Sequence, residues 1–184
     1  MMYPPMQPVL EDDRVIVRPM VEADREPLFA VASDPQIWAL HPAHDRWQRA
    51  VFDPFFDEAL ASKGALTIIA KATGTVIGSS RYDIRVAQAG EVEIGWTYLA
   101  RDHWGGETNR AVKRLMVGHA LTIFDTVIFL VGETNLRSCR AMEKIGGVLT
   151  DRLPIPPRSL KVPRMYRLGL FVADLRFRWS CHGG

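Results

Sequence analysis

The chain has 184 residues, 47% of them hydrophobic and 24% charged, with a formal net charge of +2. This fits one globular domain with a substantial core, and the near-balanced charge excludes broad electrostatic attraction to nucleic acid, though not a local basic patch. The two cysteines, Cys139 and Cys181, stand in neither a CxxC nor a metal-ligand spacing, which argues against a disulfide framework or zinc site and suits a reducing cytoplasm.

In chain order, residues 1–12 are rich in Pro and Met and are expected to form a mobile tail ahead of one domain over 13–184. The start has no basic n-region and no apolar h-region, so it does not read as a signal peptide. No apolar run along the chain is long enough to span a bilayer. DRVIVRPM alternates as a strand, with Val15 and Val17 on one face. VEADREPLFAVASDP carries Leu28, Val31 and Ala32 at helical spacing, acids near its start, and Pro35 as a break. WALHPAHDRW is a polar and aromatic loop, and a second helix follows, with Pro54 marking a kink or restart.

GALTIIAK, TVIGSSRYDI and EVEIGWTYL predict three consecutive antiparallel strands. HWGGETNR opens a long helix with an apolar stripe at Val112, Leu115, Met116, Ala120, Ile123 and Phe124. TVIFLV is a buried strand, and NLRSCRAMEKIGG is a helix with Asn135 as N-cap and Gly146 as C-cap. VLTDRL and RMYRLGLFV are two closing strands, divided by PIPPRSLKVP. The alternating order implies a single mixed α/β domain.

HWGGETNR is the segment most suited to a ligand. Amides at a helix start attract anions, and Gly105 and Gly106 allow a ligand close to the backbone. Arg110, Lys113 and Arg114 add positive charge. A plain turn before a solvated basic helix face accounts for the spacing equally well. There is no GxxxxGK[ST] and no GxGxxG after a strand, so the segment is neither a P-loop nor a dinucleotide fingerprint.

EIGWTYLARDHWGGETNRAVKRLM and VGETNLRSCRAMEKIGG together resemble the GNAT superfamily of acyl-CoA-dependent N-acetyltransferases, and more narrowly the branch that acetylates the N-termini of ribosomal proteins. The resemblance runs from about Asp13 to about Leu170. It implies a mixed, mostly antiparallel twisted sheet flanked by helices, with splayed central strands. It further implies that the turn Trp104, Gly105, Gly106, Glu107, Thr108 and Asn109 holds the coenzyme A pyrophosphate through backbone amides. The strand carrying Ile94, Gly95, Trp96 and Thr97 would run beside the pantetheine arm. Asn135 would bond the pantetheine or acetyl end, and Ser138 would protonate the leaving thiolate. Glu107 departs from the family pattern, where many relatives have a further glycine. Its side chain either turns to solvent or to Arg110, or it weakens the cofactor site by repulsion.

Acetyl transfer to an amine needs a base, donors for the oxyanion and an acid for the sulfur. Glu93 is the expected base, with Glu91 a rival on the same strand face and either equally suited to an ion pair with Arg81 or Arg85. Tyr166 is a weaker candidate acid. His41 and His44 flank Pro42 in a loop expected to wall the acceptor pocket. His103 would neighbour the pyrophosphate, His119 reads as a satisfied core histidine, and Arg137, Arg140 and Lys144 as a solvated stripe or a 3′-phosphate contact. No metal is expected. The reading is an acetyl-CoA-dependent N-acetyltransferase acting on a protein N-terminus or small amine. Its partners would be acetyl-CoA and an amine, with a homodimer left open and neither nucleic acid nor membrane. The alternatives are a non-catalytic acyl-CoA-binding module and a nucleotide-binding protein using the same helix start.

Overall fold

The period-two segments of the sequence become strands of one sheet, seen in a computed structural model of the chain that describes residues 6–85, 87–132, 134–150 and 163–169. The eight strands are β1 (Leu10–Glu11), β2 (Val15–Pro19), β3 (Ala65–Ala70), β4 (Thr75–Asp83), β5 (Glu91–Leu99), β6 (Thr126–Gly132), β7 (Val148–Thr150) and β8 (Pro163–Gly169). Their spatial order is β1-β2-β3-β4-β5-β6-β8-β7. Every pairing is antiparallel except β5 with β6, which run parallel. A parallel pair needs a crossover, and α4 (Glu107–Ala120) supplies it. The other helices are α1 (Arg25–Ala32), α2 (Pro35–Trp38), α3 (Arg49–Ala61) and α5 (Leu136–Lys144).

Alternation along the strands divides the core in two. Val15, Val17, Leu66, Ile68, Tyr82, Val92 and Ile94 pack on one face with α4 residues Val112 and Met116 and α5 residues Cys139 and Met142. Ala65 and Tyr98 pack on the other face with Leu28 and Ala32 of α1, Trp38 of α2, and Phe52 and Phe56 of α3. Asp24 ties α1 to that face. It accepts two hydrogen bonds from Arg18 (2.8 and 2.6 Å), one from the Thr67 hydroxyl (2.8 Å) and one from the Val21 amide (2.9 Å).

Several local expectations shift. Leu10 and Glu11, inside the stretch read as a tail, pair with Val17 and Ile16. Pro35 does not simply end a helix; it opens α2 at its first position, behind an Asp34 side chain that accepts from the Gln36 amide. Pro54 lies inside α3 without interrupting it. Helix α4 ends at Ala120, so Ile123 is exposed, and its buried side includes Ala111, Lys113 and Val117. The PIPPRSLKV stretch, the outer ends of the last two expected strands and Cys181 lie outside the described residues. Among the described residues, no helix is long and apolar enough to cross a membrane, and no cluster of three or more His, Cys, Asp or Glu could hold a metal ion.

Candidate functional site

The parallel pair opens partway along its length. β5 meets β6 only at Glu91↔Thr126, Val92↔Val127 and Glu93↔Ile128. Beyond Glu93, β5 stays with β4 while β6 stays with β8. Ile94 to Leu99 and Phe129 to Gly132 therefore bound a wedge whose facing backbone groups are not paired across it. Strand groups left unpaired at such an edge can accept a strand-like ligand.

A bulge in β5 shapes this wedge. The β4 partners step from Ser79↔Tyr98 to Arg81↔Gly95, so one extra residue is inserted on β5. Trp96 takes a positive φ of 52° there, unusual for a bulky side chain and costing on the order of 1–3 kcal/mol. The bulge shifts the side-chain alternation by one position. Ile94 and Thr97 both face α4, while Trp96 and Tyr98 face α1–α3. Thr97 shares a hydrogen bond with Ser80 (2.7 Å) and accepts one from Lys113 (3.1 Å). The Trp96 ring is stacked by the Arg81 guanidinium at 3.6 Å. Ile94 is fully in the core. So of the expected contact strand, the buried Ile94 has only backbone to offer the wedge, while the Trp96 ring is half-buried against Arg81.

Glu93 sits at the apex. By alternation it faces away from Val92 and Ile94, on the side of Arg81 and Asp83, and it is 2% exposed. A Cβ on Gly95 would lie 2.8 Å from a Glu93 carboxylate oxygen, so the glycine is what leaves space for that carboxylate beside the bulge. Glu91 shares the face but lies two residues further from the opening, where it accepts a hydrogen bond from the Gln88 amide (3.0 Å). On the same side, Glu58 of α3 bridges Arg81 (3.4 Å) and Arg85 (3.1 Å), and Asp83 also holds Arg85 (2.6 Å). A cleft of about 260 Å³ borders these ion pairs, lined by Met6, Glu58, Ser62, Tyr82, Asp83 and Arg85 among others but not by Glu93.

The mouth of the wedge carries the glycine turn. Gly105 has φ +68° and Gly106 is the N-cap of α4, without a side-chain cap. Among the described residues, the first amides of α4 therefore have neither an intrahelical nor a capping partner. Trp104 fixes the turn: its indole N–H donates to the Leu99 carbonyl (2.9 Å), and the Arg137 guanidinium stacks on its ring at 3.8 Å. That stack joins the turn to the start of α5, where Asn135 is 7% exposed and accepts from the Ser138 amide (3.2 Å). The Asn135 oxygen is thus the helix cap, while its side-chain N–H groups are uncommitted among the described residues. Arg137 also donates to the Ile37 carbonyl (3.3 Å), although the residue stays exposed, as do Arg140 and Lys144. Glu107 forms an ion pair with Arg110 at 2.9 Å, one turn along the helix surface. Thr108 meets His103 at 3.4 Å, and both are half-buried. The turn, Asn135 and Ser138 are thus gathered at the mouth and Glu93 at the apex. Tyr166, opposite Phe129, is buried in the core with Cys139 and Met142. His119 departs from the sequence reading: its Nε2 is buried without a partner among the described residues.

The sequence reading counted Lys113 with Arg110 and Arg114 as positive charge at the start of the helix, but the structure buries it. It is 5% exposed, its ammonium lies 5.0 Å from the Phe129 ring centroid, and burial pushes its pKa down to about 8. The signal was present: Met116, Val117 and Ala120, at +3, +4 and +7 from it, are all buried. An unfolded lysine titrates near about 10.4. Below pH 8 the folded chain must therefore hold a charge it disfavours, and that penalty is relieved as pH rises from about 8 to about 10. Lys113→Met is expected to raise stability at pH 7 by roughly 1–3 kcal/mol, after allowing for the lost bond to Thr97. The gain should shrink towards zero near pH 10. Urea midpoints at the two pH values test this; a destabilised variant at pH 7, or a gain that does not change with pH, contradicts it.

The comparisons agree with this fold. The family model described as an acetyltransferase (GNAT) domain matches residues 14–148. Among solved structures, a GCN5-related N-acetyltransferase from Brucella melitensis superimposes with TM-score 0.75 at 19% identity, covering 95% of this chain and 84% of that one. An acetyltransferase from Agrobacterium tumefaciens str. C58 gives TM-score 0.68 at 25% identity, covering 88% and 94%. RimJ of Mycobacterium smegmatis in complex with CoA-disulfide gives 0.71 at 14% identity, covering 99% and 98%. With the family model spanning well over half its length, the chain belongs to the GNAT acetyltransferase family.

Proposed function

We propose that the protein transfers an acetyl group from acetyl-CoA to a primary amine by direct attack. The observation that carries this is a buried carboxylate, Glu93, at the apex of a wedge whose mouth ends in an uncapped glycine turn. The turn from Trp104 to Asn109 would take the pyrophosphate on its amides, where the helix dipole favours an anion. The unpaired edge of β5 beyond Glu93 would meet the amides of the pantetheine arm, and the Asn135 side-chain N–H groups its carbonyl end. The amine nitrogen attacks the thioester carbonyl carbon, the C–N bond forms and the C–S bond breaks. The amine proton passes to Glu93, directly or through a water, and the Ser138 hydroxyl protonates the departing thiolate.

Calorimetry with acetyl-CoA, followed by free-thiol release across a panel of amines, tests the reading. Binding with release for at least one amine is expected. Binding with no release from any amine would leave a binding module, and no binding would remove the coenzyme altogether. Tighter binding of ATP than of coenzyme A would favour a nucleotide site. The amine remains open between a protein N-terminus and a small molecule; the likeness to RimJ, at 14% identity, supports the first only at the level of fold.

The ion pair of Glu107 with Arg110 weakens the case for a module that has lost its cofactor. Glu107→Gly is expected to leave the dissociation constant for acetyl-CoA within about twofold, or to tighten it, because the turn amides remain. It should lower stability by about 1 kcal/mol, through loss of an acid at the helix start and of an exposed ion pair. Destroyed binding would mean that the carboxylate itself serves the ligand.

A further inference from the structure

Arg46 lies in the loop between α2 and α3, where its guanidinium is 4.2 Å from the Phe55 ring centroid and 5.5 Å from that of Trp38. Both rings also contact Tyr98 of β5, at 6.4 and 5.1 Å between centroids. Arg46 is therefore held on the Glu93 face of the sheet, beside the bulge. Among the described residues it has no ion pair or hydrogen bond, although a guanidinium carries five N–H donors. Among the described residues no anion lies at contact distance. Glu58 attracts it from further away but already bridges Arg81 and Arg85. Asp45 likewise acts only at a distance. His41, whose ring meets Trp38 edge-on at 5.7 Å, is held neutral by burial and by Arg46, its pKa lowered to about 4. Arg46 in turn is pushed down to about 10, first by burial and then by the like charge of Arg81. A half-buried cation stacked on aromatic rings, close to a second cation and with no ion pair or hydrogen bond among the described residues, is an incomplete anion site.

We propose that the amine accepted by this enzyme carries a carboxylate, which Arg46 binds in the box formed by Trp38, His41, Phe55 and Tyr98. This rests on the transfer reading above. A carboxylate suits the site better than a phosphate. One negative charge completes one guanidinium, whereas a dianion would also face Glu58, Asp83 and Glu93 on the same side of the sheet. The planar fork of arginine also matches a carboxylate through two parallel bonds.

The test uses the full chain and two matched series: ω-amino acids from glycine to 6-aminohexanoate, and the corresponding ω-amino amides. Thiol release gives KM for each, and calorimetry on the CoA-bound protein gives Kd. At one or more chain lengths the carboxylate is expected to have a KM and Kd at least about tenfold lower than the amide, equivalent to about 1.4 kcal/mol. In Arg46→Gln the two series should coincide; Arg46→Lys, which keeps the charge but not the fork, should retain part of the preference. Equal values in the unmodified protein, or a preference that survives Arg46→Gln, overturns the proposal. Absence of thiol release from every amine counts against the transfer reading instead. In that case calorimetry decides the role of Arg46: tighter carboxylate binding supports it, and equal or absent binding overturns it.

Discussion

Gly105→Val is expected to weaken acetyl-CoA binding by at least about 100-fold, or about 2.7 kcal/mol, while the domain remains folded. The cause is conformation and not bulk. A Cβ at Gly105 would meet nothing within 4 Å, but its φ is +68°. A β-branched residue is a strained outlier there, by on the order of 1–3 kcal/mol. The turn then either bears that strain or rotates to a negative φ. Rotation reorients the peptides leading into α4 and breaks the common aim of its first amides. Gly106 provides the control. It lies in the same turn at an ordinary extended φ of −115°, and its Cβ would meet only the Trp104 carbonyl at 3.9 Å. Gly106→Ala should therefore perturb binding far less than Gly105→Ala. Titration calorimetry on the three variants checks the argument. A dissociation constant for Gly105→Val within about threefold of the unmodified chain would show that these amides do not hold the coenzyme. A global loss of fold is not expected. At roughly 2–4 °C per kcal/mol for a chain of this size, the strain shifts the melting temperature by several degrees.

The parts of this site that could be read from the sequence are those set by local chemistry. Asn135 as a cap, the turn before α4 and the Glu91/Glu93 pair on one strand face all follow from spacing and residue type, and each is present. What escaped was set by tertiary context. EIGWTYL continues a strand pattern without a break, so nothing in it announces that Trp96 would adopt a positive φ and invert the faces beyond it. Leu10 and Glu11 follow a Pro- and Met-rich stretch that reads as a tail, and become a strand only because the edge of β2 is there to pair with. Lys113 and Arg46 escaped for a shared reason. Charged residues are rarely buried, so Lys113 read only as added positive charge at the helix start and Arg46 only as part of a polar and aromatic loop, although both are half or fully enclosed by rings and apolar helix positions.

Glu93→Gln is expected to lower kcat by about 10²–10⁴, the range associated with loss of a positioned general base, with acetyl-CoA affinity kept within about threefold. The two effects separate because the coenzyme would be held by the turn and by backbone groups of β5, neither of which the amide alters. Glutamine keeps the shape that fits beside Gly95, so it removes basicity without opening a cavity. Glu91→Gln gives the contrast. Glu91 is also buried, but it is paired opposite Thr126, below the opening, and its carboxylate holds the Gln88 amide. Its substitution should lower stability more than it lowers kcat. Steady-state rates at saturating acetyl-CoA, together with urea midpoints for both variants, distinguish the two carboxylates. If Glu93→Gln keeps half or more of kcat, or if Glu91→Gln shows the larger loss of rate, the base is not at the apex. The proton path would then have to run through the outer carboxylates, Glu58 and Asp83, which line the cleft on that face. The acid limb of the kcat/KM profile gives a further readout that a purely structural role would not move. The part of that limb set by a carboxylate should be present in the unmodified enzyme and absent in Glu93→Gln, while the part set by deprotonation of the acceptor ammonium persists in both.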